Sequence, residues 1–194
     1  MRFPRNYFWE CRLLALCLTL VVFVATACQP PPSEPLGYEF LTAASLRPGD
    51  RLPQPSAAIL TVTGKLGNPN QGSAIAMDRE SIEAAGLVAY RTHDPYHPGS
   101  TVYRGALLAD LLALWQLDPD ATELQLQARD GYQVTLSLAE IADVPLLVAT
   151  RLESERLPPD FAPLAMIWPY GMGDFARPFT DQFWVRQLVA IAIQ

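Results

Sequence analysis

The sequence predicts an α+β domain: a mixed β-sheet carrying short helices. Three observations lead there. Stretches of alternating, β-branched residues recur between residue 57 and the C-terminus. One of them folds back on itself around an Asp-Gly turn. Helical spacing is brief and scattered among these strands, without the regular βαβ alternation of a parallel α/β fold.

Taken in order, "AILTVTGKL" (58–66) alternates and is rich in β-branched residues, so it reads as a strand. "DRESIEAAG" (78–86) opens on Asp78, a good helix cap, and closes on Gly86, so it reads as a short helix. "LVAYRT" (87–92) is a second strand, and "GALLADLLALW" (105–115) has apolar residues at helical spacing.

"ELQLQARDGYQVTLSL" (123–138) is a hairpin whose register can be argued. A two-residue Asp130-Gly131 turn would put the apolar sets of the two strands on opposite faces. A three-residue loop, Arg129-Asp130-Gly131, pairs Ala128 with Tyr132, Leu126 with Val134 and Leu124 with Leu136. All of these then face the core, Tyr132 included, and Gly131 supplies the left-handed position that the loop needs. "SLAEIA" (137–142) follows as a helical turn, then "PLLVAT" (145–150), "APLAMIW" (162–168) and "FWVRQLVAIAI" (183–193) as strands.

The N-terminus is of another kind. Arg2, Arg5 and Arg12 stand against one acid, Glu10, and the uncharged apolar run "LLALCLTLVVFV" (13–24) comes next. A basic start, a short apolar run and small residues make an export signal, shorter than the about 18 apolar residues of a comfortable bilayer span. A retained anchor is the lesser reading. Ala25-Thr26-Ala27 fits ordinary signal peptidase, while "ATAC" before "QPPPSEP" also resembles a bacterial lipoprotein box. In that box the cysteine, here Cys28, is lipidated and becomes the first mature residue. Ala25 departs from the usual Leu or Val. Gln29, rather than Asp, implies the outer membrane under enterobacterial sorting rules. The expectation is a lipid-anchored periplasmic protein.

Three segments follow: a signal peptide over 1–27, a Pro-rich tether and arm over 28–56, and the domain over 57–194. The start of the tether is extended polyproline at about 3 Å per residue, enough to hold the domain roughly 20 Å from the membrane. "YEFLTAASLRPGD" (38–50) has enough apolar residues to lie on the domain as an arm.

The three cysteines are Cys11, Cys17 and Cys28, so residues 29–194 offer no disulfide, thiolate metal site or cysteine nucleophile. Without Arg2, Arg5, Arg12 and Glu10, 11 basic and 19 acidic residues remain of the chain's 14 and 20, a net charge of −8. Such a surface repels nucleic acid and anionic headgroups, so membrane contact is expected through the lipid alone.

Few motifs carry chemistry. "GMGDFA" (171–176) fits G-x-G-x-x-A, but Pro178 breaks the helix that a dinucleotide site needs, so a glycine loop between strands is expected. No nucleophile elbow, H-E-x-x-H or phosphate loop is present. "RTHDPYHPG" (91–99) holds both histidines, His93 and His97, around Asp94. Pro95 and Pro98 exclude a helical pair. A loop in which Asp94 caps a turn is expected rather than a closed metal site.

The segments "ILTVTGKL", "VYRGALLADLLALW", "LQARDGYQVTLSLAEI", "LLVATRLESERLPPDFAPLAMIWP" and "WVRQLVAIAI" resemble, in this order, the molybdopterin-binding domain of the sulfite-oxidase type. Phe161 stands where that family's "G-x-PL" motif has its glycine. The resemblance implies a molybdopterin cofactor, with a molybdenum-binding cysteine after the strand corresponding to "LVAYRT". Here "THDPYHPGST" occupies that place and has no cysteine. The resemblance thus implies one of the small exported relatives of the enzyme.

On this alignment residues 91–100 border the cofactor pocket. Arg91, His93, His97, Arg104 and Tyr170 are its candidate ligand-binding residues, with Trp168 and Phe175 as walls or packing. Arginines there suit an anion, and in so acidic a protein the more frequent alternative is that both pair with surface acids. The expected function is binding of a small anionic ligand or an envelope protein partner. One alternative is a molybdopterin-dependent oxidoreductase using non-thiolate contacts. Another is a structural lipoprotein without a small ligand.

Overall fold

The computed structural model describes residues 37–95, 98–170 and 181–194. Cys28, His97, Phe175, the "GMGDFA" loop and the signal segment lie outside them.

Eleven strands are described: β1 (Gly37–Thr42), β2 (Leu60–Gly64), β3 (Ile75–Met77), β4 (Leu87–His93), β5 (Ser100–Leu107), β6 (Glu123–Ala128), β7 (Gln133–Ser137), β8 (Leu147–Leu152), β9 (Glu155–Arg156), β10 (Ala165–Ile167) and β11 (Leu188–Ile193). The helices are α1 (Arg79–Glu83), α2 (Leu108–Trp115) and α3 (Leu138–Ile141). Together they form an α+β fold.

One sheet runs β1-β4-β5-β8-β10, with β9 on β8, and the other runs β3-β2-β11-β6-β7. Both contribute to one apolar core. All described pairings are antiparallel except β2 with β11.

In β2, Leu60 and Val62 are buried while Thr61 and Thr63 are exposed, the period of a strand with one wet face. In β11, Leu188, Ile191 and Ile193 are all buried despite uneven spacing. A register irregularity between Leu188 and Ala190 returns Leu188 to the inner face. The expected strand over 183–193 is shorter because Gln187 takes a left-handed conformation, φ 53°, just before Leu188.

The hairpin forms in the register expected. Leu124 pairs with Leu136 and Leu126 with Val134. Ala128 N donates to Tyr132 O at 2.9 Å, and Gly131 has φ 92°. Tyr132 differs from expectation: it is 42% exposed, and its hydroxyl donates to Gln182 O at 2.7 Å. It closes the loop at the sheet rim, so its ring stands outside the core.

The helix expected from Gly105 begins at Leu108 instead. Gly105, Ala106 and Leu107 continue β5 and pair with Ala149, Val148 and Leu147 of β8. Any Cβ at Gly105 would collide with the backbone of Val148 and Ala149, so glycine permits this close approach. α2 then buries Leu108, Leu111, Leu114 and Trp115, one stripe of a helix.

The segment read as an arm supplies β1, antiparallel to β4, with Tyr38 opposite Tyr90 and their rings stacked at 6.0 Å. No helix among the described residues is long and apolar enough to cross a membrane.

Candidate functional site: the end of the β4–β5 hairpin

Strand alternation sorts the residues around "RTHDPYHPG". Arg91 faces Val102 and His93 faces Ser100 across the β4–β5 ladder, while Ala89 faces Arg104. Arg91, His93 and Arg104 therefore share one face, with Arg91 and Arg104 as diagonal neighbours. Tyr90 and Thr92 point to the other face, where they are fully buried.

Thr92 pins this end of the sheet. Its Oγ1 lies 3.0 Å from Trp168 O and 2.9 Å from Tyr170 O, both acceptors. His93 N donates to Tyr170 O at 3.2 Å. Tyr170 is thus brought to the candidate residues through its carbonyl. Its ring packs inward, stacked on Trp184 at 5.6 Å. Trp168 packs likewise against Phe183 and donates from Nε1 to Phe183 O at 2.6 Å.

The turn that Asp94 is expected to cap runs into residues 96 and 97, which lie outside the described residues. Asp94 itself is 6% exposed, and the Tyr103 hydroxyl donates to its Oδ2 at 2.5 Å. Tyr103 lies edge-on to Trp184 and stacked on Phe161. Burial, reinforced by the hydrogen bond to Asp94 and its charge, pushes the Tyr103 phenol well above its ordinary range. Tyr103 therefore remains the donor and Asp94 the acceptor.

His93 is exposed, with Nδ1 3.4 Å from Gly99 O. His93 and Asp94 are consecutive at the end of a strand, one outside and one inside. Among the described residues, no three His, Cys, Asp or Glu side chains gather as a metal site.

Arg104 carries a further peculiarity. Its Nε is buried and has no hydrogen-bond partner among the described residues. Thr92 and Tyr103 are the positioning residues that sequence reasoning missed, and the inward partner of Asp94 was missed with them. Strand β5 was the missing signal, because only its pairing with β4 places Tyr103 near Asp94.

The candidate face can therefore offer guanidinium and imidazole donors to an anion. It offers no thiolate, since no cysteine lies among the described residues. The donor set does not fit a thiolate-bound molybdenum. No family model matches the chain, and no curated protein matches it in sequence. In structure the chain is similar to sulfane dehydrogenase SoxCD from Paracoccus pantotrophus, with a TM-score of 0.52 at 14% identity. The match covers 69% of this chain but only 37% of that one, and it establishes a shared fold.

Proposed function

We propose that this chain is an exported, lipid-anchored binding domain of the molybdopterin-oxidoreductase fold, which holds a small anion or an envelope protein partner and does not catalyse. The observation that carries the reading is the construction of the β4–β5 turn. Asp94 is turned inward to Tyr103, and Arg91 and His93 are turned outward, where a thiolate ligand would be required for catalysis of the sulfite-oxidase type. The ordered motifs and the fold shared with a dehydrogenase support the ancestry.

Molybdopterin, if bound, would supply redox chemistry. Arg91, His93 and Arg104 are the residues suited to its anionic groups. Among the described residues no thiolate stands ready to hold the metal for a catalytic step.

Protein purified from its own envelope fraction should contain no stoichiometric molybdenum by elemental analysis and no pterin fluorescence after oxidation. Stoichiometric molybdenum with pterin would overturn the reading in favour of a non-thiolate oxidoreductase.

A further inference from the structure

Three arginines stand in line across neighbouring strands. Arg104 of β5 is directly opposite Arg151 of β8, and Arg151 is directly opposite Arg156 of β9. Like charges directly opposite in a sheet repel, so such a row calls for counter-anions. One is built in. Glu83, at the end of α1, accepts from Arg151 Nε at 2.9 Å and from Arg151 Nη2 at 2.7 Å, and also from Thr150 Oγ1 at 2.7 Å.

The same helix brings a fourth guanidinium. Arg79 lies close enough to Glu83 for its charge to act on that carboxylate. Yet Arg79 Nε is buried without a hydrogen-bond partner among the described residues, as is Arg104 Nε. Arg156 is exposed.

Arg79, Arg151 and Arg156 line one open cleft of about 640 Å³, with Ala57 and Ile59 as its apolar part. Three acids also line it, matching the three arginines in formal charge, but two of them are already engaged in hydrogen bonds. Asp78 accepts from Ser81 and from Ser56 N, and Glu83 is held by Arg151 and Thr150. Glu80 is the exposed remainder.

We propose that this cleft binds a small organic oxyanion, a carboxylate or a phosphate ester, between the Arg79 and Arg156 guanidiniums. Glu83 neutralises the Arg151 fork and holds it as a fixed wall behind it. Guanidinium forks match both oxyanions in geometry, and the apolar side accepts a short carbon body. The inference rests on Arg79, Arg151 and Arg156, none of which belongs to the Arg91, His93 and Arg104 face, so either reading can fail alone.

The test follows arginine Nε–H resonances of the soluble chain without its signal segment, titrated separately with inorganic phosphate and with succinate. Chloride at equal ionic strength is the control. Saturable shifts confined to Arg79, Arg151 and Arg156 are expected, and the tighter probe identifies the phosphate or carboxylate source. The Arg79→Gln, Arg156→Gln double variant should weaken binding by about tenfold or more, while Arg47→Gln leaves it unchanged. Shifts that never saturate, that chloride reproduces, or that survive the double variant would overturn the proposal.

Discussion

Tyr103 and Asp94 meet inside the protein, with the phenol hydroxyl 2.5 Å from Asp94 Oδ2. The pair ties the last residue before Pro95 to the middle of the next strand. It thereby sets where the β4–β5 turn leaves the sheet, and so where His93 emerges.

Tyr103→Phe removes this donor from a buried carboxylate while keeping the ring against Phe161 and Trp184. A hydrogen bond to a charged group under burial is worth about 1–3 kcal/mol, so the variant should lose that much stability in urea unfolding. No loss would mean that the bond does not hold the turn.

Gly131 has φ 92° and nothing within 4 Å of a Cβ placed on it. The cost of substitution is therefore backbone strain alone. Gly131→Val should destabilise by about 1 kcal/mol or more, read as a lower melting temperature. An unchanged value would argue against the three-residue loop.

The hairpin was legible because period-2 burial and a left-handed turn residue act within a few neighbouring residues. The α2 stripe was legible for the same reason. β5 was not. Gly105-Ala106-Leu107 is apolar enough for either a helix or a strand, and the choice was made by contact with β8, distant in sequence. Once β5 is missed, the Asp94–Tyr103 bond and the arginine row are invisible, because both depend on cross-strand register. Tyr132 erred in the opposite direction. It keeps its place in the alternation, but the alternation does not say where the sheet ends.

Glu83 responds to pH in a defined direction. Burial alone raises its carboxyl, but hydrogen bonds from Arg151 and Thr150, with the charges of Arg151 and Arg79, outweigh this and leave it below the ordinary 4.5. A depressed folded-state value means that its stabilisation is present above the unfolded value and fades as pH falls through the folded one. Glu83→Gln should therefore cost about 1–2 kcal/mol at neutral pH, given a pair that is only partly buried, and the deficit should shrink below about pH 4. Denaturant midpoints measured across that range check the sign. A deficit that does not vary with pH would assign the effect to packing.

Lipid anchoring predicts that Cys28→Ser moves the protein from the membrane fraction to the soluble fraction and removes the mass of the acyl groups. Retention of the same fraction and mass would show that Cys28 is not lipidated.

His93 stands on the outer face of β4 and Asp94 is turned inward to Tyr103, so the carboxylate adjacent in sequence is not available beside the imidazole. A structural zinc site needs four ligands at fixed positions, and its binding energy becomes folding energy. If His93 and His97 were part of one, a chelator would lower the melting temperature sharply. The expected outcome is that the parent and the His93→Ala, His97→Ala double variant melt alike, with or without chelator. The histidines then act on ligand or partner binding alone. A large chelator-dependent drop in the parent, absent from the double variant, would establish a metal site at this turn.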